Sequence, residues 1–185
     1  ATLTYFLKDS LLTAKEQRQK AEKEMVKEKN YPKYPTWEAI EKENQEVKPV
    51  VYLEIRDADG KFVNRVAGKA TKGIHRVTWD MSYATGKAVT GVKSSGWSPF
   101  GAGLMAIPGT YSATLYKRVN GEVSQLAEPV EFELSPITDG ALSQASRKEV
   151  LTFGKEIADA QRKVTAVNAV LSGFGKTMKA LRTAI

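Results

Sequence analysis

The sequence predicts a mainly β chain: an antiparallel β-sandwich carrying a helical insertion near its N-terminus and one long helix at its C-terminus. Three patterns predict it. Residues 50–134 alternate apolar and polar with period two, as strands with one wet face do. From Val150 onward the apolar positions recur at alternating steps of three and four, the signature of a helix with one apolar seam. Between an opening strand-like stretch and the sandwich lies a run of strong helix formers, residues 11–29. The implied segments are 1–48, first strand plus helical insertion; 49–136, sandwich; and 137–185, long C-terminal helix.

In the first segment Leu3, Tyr5 and Leu7 alternate with Thr2, Thr4 and Phe6, which reads as a strand. Ser10 is the expected N-cap of the helix that follows. That helix has a thin apolar stripe of Leu11, Ala14, Ala21 and Met25, so it should lie on a surface rather than inside a core. Pro32 and Pro35 stop it. Thr36 caps a second, short helix, with Trp37 and Ile40 expected to anchor it. Tyr31, Tyr34 and Trp37 are expected to pin this loop to the core, the alternative being a ligand platform.

In the second segment Val51, Leu53 and Ile55 share one face. Asp57-Ala58-Asp59-Gly60 makes a turn, and Phe62–Val66 returns. The later ligands of a calcium loop are missing after this turn. His75, Val77 and Trp79 alternate with Ile74, Arg76 and Thr78; Tyr111, Ala113 and Leu115 face one way. Asn120-Gly121 signals a tight hairpin, and Val130, Phe132 and Leu134 alternate with Glu131 and Glu133. From Met81 to Ile107 the chain is Gly-rich, and a loop of that length in a compact domain usually binds something or folds on its own core. Its candidate binding residues are Tyr83, Trp97, Phe100 and Met105.

The C-terminal seam comprises Val150, Phe153, Ile157, Ala160, Val164, Val167, Leu171, Phe174, Met178, Leu181 and Ile185. It is the expected helix interface, suited to a coiled coil with a second copy because Val150, Ile157 and Val164 are β-branched. Gly175-Lys176-Thr177 looks like the end of a phosphate-binding loop. The full pattern needs glycine at position 170, where Val170 stands, and the seam runs through the segment unbroken.

Composition narrows the chemistry. The absence of cysteine excludes disulfides and thiolate sites, and His75 is the single histidine. No metal site and no cofactor are expected. No apolar run approaches the roughly 20 residues of a membrane span. The excess positive charge sits in residues 146–185, eight Lys/Arg against three Asp/Glu, and reads as a solvated helix face, the alternative being a basic tail that meets nucleic acid or anionic lipid. The chain begins with Ala1 and shows no signal-peptide pattern, which suggests a mature form or a piece of a longer protein.

The stretch "VYLEIRDADGKFVNRVAGKATKGIHRVTWDMSY" with the later "PGTYSATLYKR" resembles a bacterial immunoglobulin-like module, similar to that of flagellar hook-capping proteins. The wider layout resembles the C-terminal region of large secreted bacterial proteins with Asp-box (BNR) or sortilin-like β-propellers, often labelled glycosyl hydrolases. The resemblance implies an Ig-like or fibronectin III-like sandwich, with Trp79 as a core anchor and Gly109 and Tyr111 opening a returning strand. It implies a non-catalytic accessory or interaction domain in a secreted or periplasmic protein. The Asp-box pattern Ser-x-Asp-x-Gly-x-Thr-Trp is absent, so no catalytic residue carries over.

The expected partners are the N-terminal β-propeller of the parent chain and a second copy through the last helix. The alternative is a carbohydrate-binding module, with a polysaccharide stacking on Trp97. A glycosidase would need two carboxylates in a cleft, and Asp57, Asp59 and Asp80 are the candidates.

Overall fold

The computed structural model describes residues 1–84, 103–137 and 143–184. The described chain combines two antiparallel sheets, of two and five strands, with a long C-terminal helix. It divides into two units: residues 1–80 with 110–132, and residues 81–109 with 133–185.

The first unit opens with β1 (Thr2–Leu7), which Tyr5 and Leu7 anchor through their buried side chains. Helices α1 (Ala14–Lys27) and α2 (Trp37–Gln45) follow. Strands β2 (Val50–Asp57), β3 (Phe62–Gly68) and β4 (Gly73–Thr78) come next, then β5 (Gly109–Val119), β6 (Glu122–Gln125) and β7 (Val130–Leu134). β1 pairs with β4 in one sheet, Tyr5 opposite His75. The other sheet runs β3-β2-β5-β6, with β7 also on β5. The β5–β6 hairpin turns through Asn120 and Gly121, both at positive φ (52° and 86°), as a type I′ turn requires. At the Asp57–Gly60 turn the Asp57 carboxylate accepts the N–H groups of Asp59 and Lys61 at 3.1 and 2.8 Å.

The period-two pattern becomes a shared core. Tyr5 and Leu7 of β1 pack with Val51 and Leu53 of β2 and with Ala113 and Leu115 of β5. Beside them Trp79, 1% exposed, meets the rings of Tyr111 and Phe132 at 5.5 and 6.1 Å. His75 faces inward next to Tyr5, ring centroids 5.3 Å apart, and its Nε2 donates to the Thr71 carbonyl.

Two local expectations need correction. Ser10 does not cap α1: its hydroxyl accepts the Lys72 N–H at 2.8 Å. Thr13 is the cap, in a reciprocal box with Glu16, because the Thr-x-x-Glu spacing satisfies two orphan N–H donors at once. Trp37 does not anchor α2, and Tyr31 and Tyr34 do not pin the loop; all three stand almost fully exposed. α2 is held instead by charge. The Arg18 guanidinium of α1 grips both Glu43 carboxylate oxygens at 2.7 and 2.8 Å, and Glu46 accepts the Ala14 N–H at 2.7 Å. The hydrogen bonds from Arg18 hold the Glu43 carboxyl below its ordinary range.

Glu54 sits between Leu53 and Ile55 on the opposite face of β2, yet it is buried. Arg56 and Arg65 cover it, donating at 2.6–2.9 Å. Desolvation pushes its carboxyl up, but the hydrogen bonds from Arg65 and Arg56 outweigh this and leave it below the usual value of 4.5. A depressed folded value means that the charged form stabilises the fold above the unfolded pKa and loses that effect as pH falls through the folded one. Wild type should therefore exceed Glu54→Gln in urea midpoint at pH 7, and the gap should shrink as pH falls below the ordinary carboxyl value of 4.5. An equal gap above and below that value would contradict the assignment.

Candidate functional site

The second unit is built on α3 (Gln144–Ala184), 41 residues and roughly 60 Å long at 1.5 Å per residue. The Ser143 hydroxyl accepts the Ser146 N–H at 3.1 Å, capping the first turn. Gln144 donates to the Pro108 carbonyl at 2.8 Å. The two ends of the Gly-rich stretch pair with each other: Tyr83 N–H donates to Leu104 O and Ala106 N–H to Met81 O, both at 2.7 Å.

One face of the first half of α3 lies on this pair. Arg147, Leu151, Gly154 and Ala158 are half-buried there. Gly154 lets the helix come close here: a Cβ at that position would sit 2.7 Å from Leu104 Cδ2 and make the leucine tip move. The Lys155 ammonium lies over the Tyr83 ring, 4.1 Å from its centroid, a cation–π geometry. A cleft of about 340 Å³ opens beside Leu104, Ile107, Pro136 and Leu151, with Arg147 as its one charged lining residue.

The predicted binding residues therefore separate. Tyr83 is buried under Lys155. Met105 bridges Ser82 through its backbone and leaves its side chain exposed. Trp97 and Phe100 lie outside the described residues.

The predicted helix interface stays together. Val150, Phe153, Ile157, Val164, Val167, Leu171, Phe174, Met178 and Leu181 are all exposed, between 41% and 66%. They share one stripe because steps of three and four keep a helix face in line. The covered face of α3 is a neighbouring one, so the seam remains open. Threonine hydroxyls of the helix turn onto its own backbone: those of Thr152, Thr165 and Thr177 donate to carbonyls four residues back. Asp159 pairs with Lys163 and Arg162, whose hydrogen bonds hold its carboxyl below the ordinary range.

The segment once suggestive of a phosphate loop is helical through Gly173, Gly175 and Thr177. A Cβ at either glycine would meet nothing within 4 Å. Gly173→Ala and Gly175→Ala should each favour the helix by about 1 kcal/mol. The checking measurement is ellipticity at 222 nm during heating, with an unchanged signal counting against the helix.

Among the described residues no group of three or more His, Asp or Glu could hold a metal ion. The Glu43, Glu54 and Asp159 carboxyls are each held below their ordinary range by facing cations. A general acid needs the opposite displacement. On the open face of the five-stranded sheet Tyr52 and Tyr116 stack at 5.6 Å, with Arg65 over Tyr52 at 5.2 Å. The sequence reading missed this pair, although two tyrosines on adjacent strands are its trace. The rings cover each other and the cation, so they form a ladder rather than a flat sugar platform.

No helix among the described residues is long and apolar enough to cross a membrane. Comparison of the chain with protein-family models, with curated proteins and with solved structures finds no match.

Proposed function

We propose that the chain is a non-catalytic accessory and interaction domain, in which an Ig-like β-sandwich carries a helix whose apolar seam joins other polypeptide. The observation that carries this reading is the nine-residue seam of α3, open along its whole described length. Monomers rarely leave so long an apolar stripe in water. An isolated helix of this composition gains most of its stability from packing of that stripe. The sandwich part draws support from the core that β1 shares with β2 and β5. The exposed aromatics Tyr31, Tyr34 and Trp37 add a second apolar surface on the first unit.

The parent protein, on the resemblance described above, is secreted or periplasmic and carries a β-propeller, which is the partner within the chain. The test is the reading frame upstream of Ala1 together with a binding measurement. Asp-box repeats should precede Ala1. The separately produced propeller should bind this chain in calorimetry. A frame without repeats, or a propeller that does not bind, removes the reading. Binding of neutral polysaccharides in its place would favour the carbohydrate-binding alternative.

A further inference from the structure

We propose that the partner of the α3 seam is the same seam of a second copy of this chain, laid antiparallel. The inference rests on the interaction-domain reading and names its partner.

Size comes first. Each large seam side chain stands to lose on the order of 100 Å² of apolar surface, about half of what a fully buried aromatic loses. Nine of them give ~900 Å² per copy and ~1,800 Å² for the pair, inside the range of a stable interface. The surface is thus large enough for a dimer without help from other elements.

Register decides the direction. A parallel pair in register would set Ala160 against Ala160, leaving a hole, and Phe174 against Phe174, overfilling a two-stranded core. In the antiparallel pair centred between Thr165 and Ala166, every seam residue from Val150 to Leu181 meets another seam residue. Val164 then faces Val167 of the second copy, Ala160 faces Leu171, and Ile157 faces Phe174. Small sits against large, which fills such a core evenly.

Charge points the same way. The acids of α3, Glu149, Glu156 and Asp159, lie in its first half. Lys176, Lys179 and Arg182 lie near its end, where no acid accompanies them. A parallel pair would bring six cations together. The antiparallel pair sets the acid-free end of one helix beside the acid-bearing first half of the other, with Arg182 level with Glu149 of the second copy, and it opposes the helix dipoles.

The test is light scattering on the full chain from about 1 to 200 μM. The expected mass is twice 20.3 kDa. Leu171→Asp should return it to a single chain, and Thr165→Asp, outside the seam, should leave it doubled. Both variants should keep the thermal transition of the sheets. Because the native chain has no cysteine, a single spin label at Lys148→Cys reads the direction. Antiparallel packing separates the two labels by ~50 Å along the axis, while parallel packing keeps them within ~20 Å. A single-chain mass at the highest concentration, or the short distance, overturns the proposal. The two readings fail separately. A monomer that still binds the propeller, and loses that binding in Leu171→Asp, ends the dimer alone; a monomer that binds nothing ends both.

Discussion

Replacing Trp79 with alanine is expected to lower the unfolding free energy by about 3–5 kcal/mol. The indole is 1% exposed and is gripped by Tyr111 and Phe132, rings that also stack with each other at 6.1 Å. Truncation would remove two ring contacts and leave a cavity against Tyr111 of β5 and Phe132 of β7, paired strands that hold their places in one sheet. The Trp79 backbone adds to the anchor, its N–H donating to Ala1 O at 2.8 Å. With domain stabilities of about 5–15 kcal/mol, this loss is about a fifth or more of the total. In urea, with a slope near 2 kcal/mol per M, the midpoint should fall by roughly 1.5–2.5 M. Trp79→Phe should recover more than half of it. By contrast Trp37→Ala should move the midpoint by no more than ~0.3 M, since that ring is 86% exposed. Equal midpoints for Trp79→Ala and Trp37→Ala would remove Trp79 as the anchor.

These two tryptophans also show where sequence reading works. Trp79 continues the inward file of His75 and Val77, and alternation alone assigns it to the core, as it does Val51, Leu53 and Ile55. Asn120-Gly121 specifies its turn because few residues tolerate two successive positive φ angles. The α3 seam is legible for the same kind of reason: its steps of three and four link eleven positions, and one glycine pair cannot mask them. Trp37 is different. Nothing local distinguishes an aromatic that anchors a loop from one that faces water, because burial is decided by what the rest of the chain places above it.

Glu54 is the converse case. Its place in the alternation puts it on the polar side, and its burial follows from Arg65, eleven residues away on the neighbouring strand. Thr13 is legible as a cap from Glu16 three residues on, a spacing that Ser10 lacks. The Tyr83–Lys155 contact joins positions 72 residues apart, and no short-range pattern encodes it. The α3 seam was therefore the most legible part, since periodic patterns survive without tertiary information, while individual side-chain contacts do not.

Gly68→Ala is expected to destabilise the first unit by about 1–2 kcal/mol, and the reason can be isolated. A Cβ at position 68 would meet the Tyr5 hydroxyl oxygen first, then Cζ at 2.9 Å and Cε1 at 3.1 Å. The ring has no retreat: its hydroxyl donates to the Lys69 carbonyl at 2.7 Å and its other neighbour is the His75 ring. Overpacking of this kind costs about 1–3 kcal/mol. The loss of glycine's freedom in the unfolded chain returns only about 0.4–1 kcal/mol, so the clash prevails.

Tyr5→Phe removes the atom that the new methyl meets first. In that background Gly68→Ala should cost less, giving a coupling energy of at least ~0.5 kcal/mol in a double-mutant cycle. Alkali provides an independent check. Burial raises the Tyr5 pKa above 10.0, against the opposing pull of the Lys69 hydrogen bond. The neutral phenol therefore stabilises the fold fully below pH 10, and this contribution disappears as pH rises through the higher folded value. Wild type should lose stability above pH 10 more steeply than Tyr5→Phe. Additive mutations within ~0.3 kcal/mol, with parallel alkaline profiles, would show that the ring does not press on Gly68. The close approach of β1 to β3 would then need another cause.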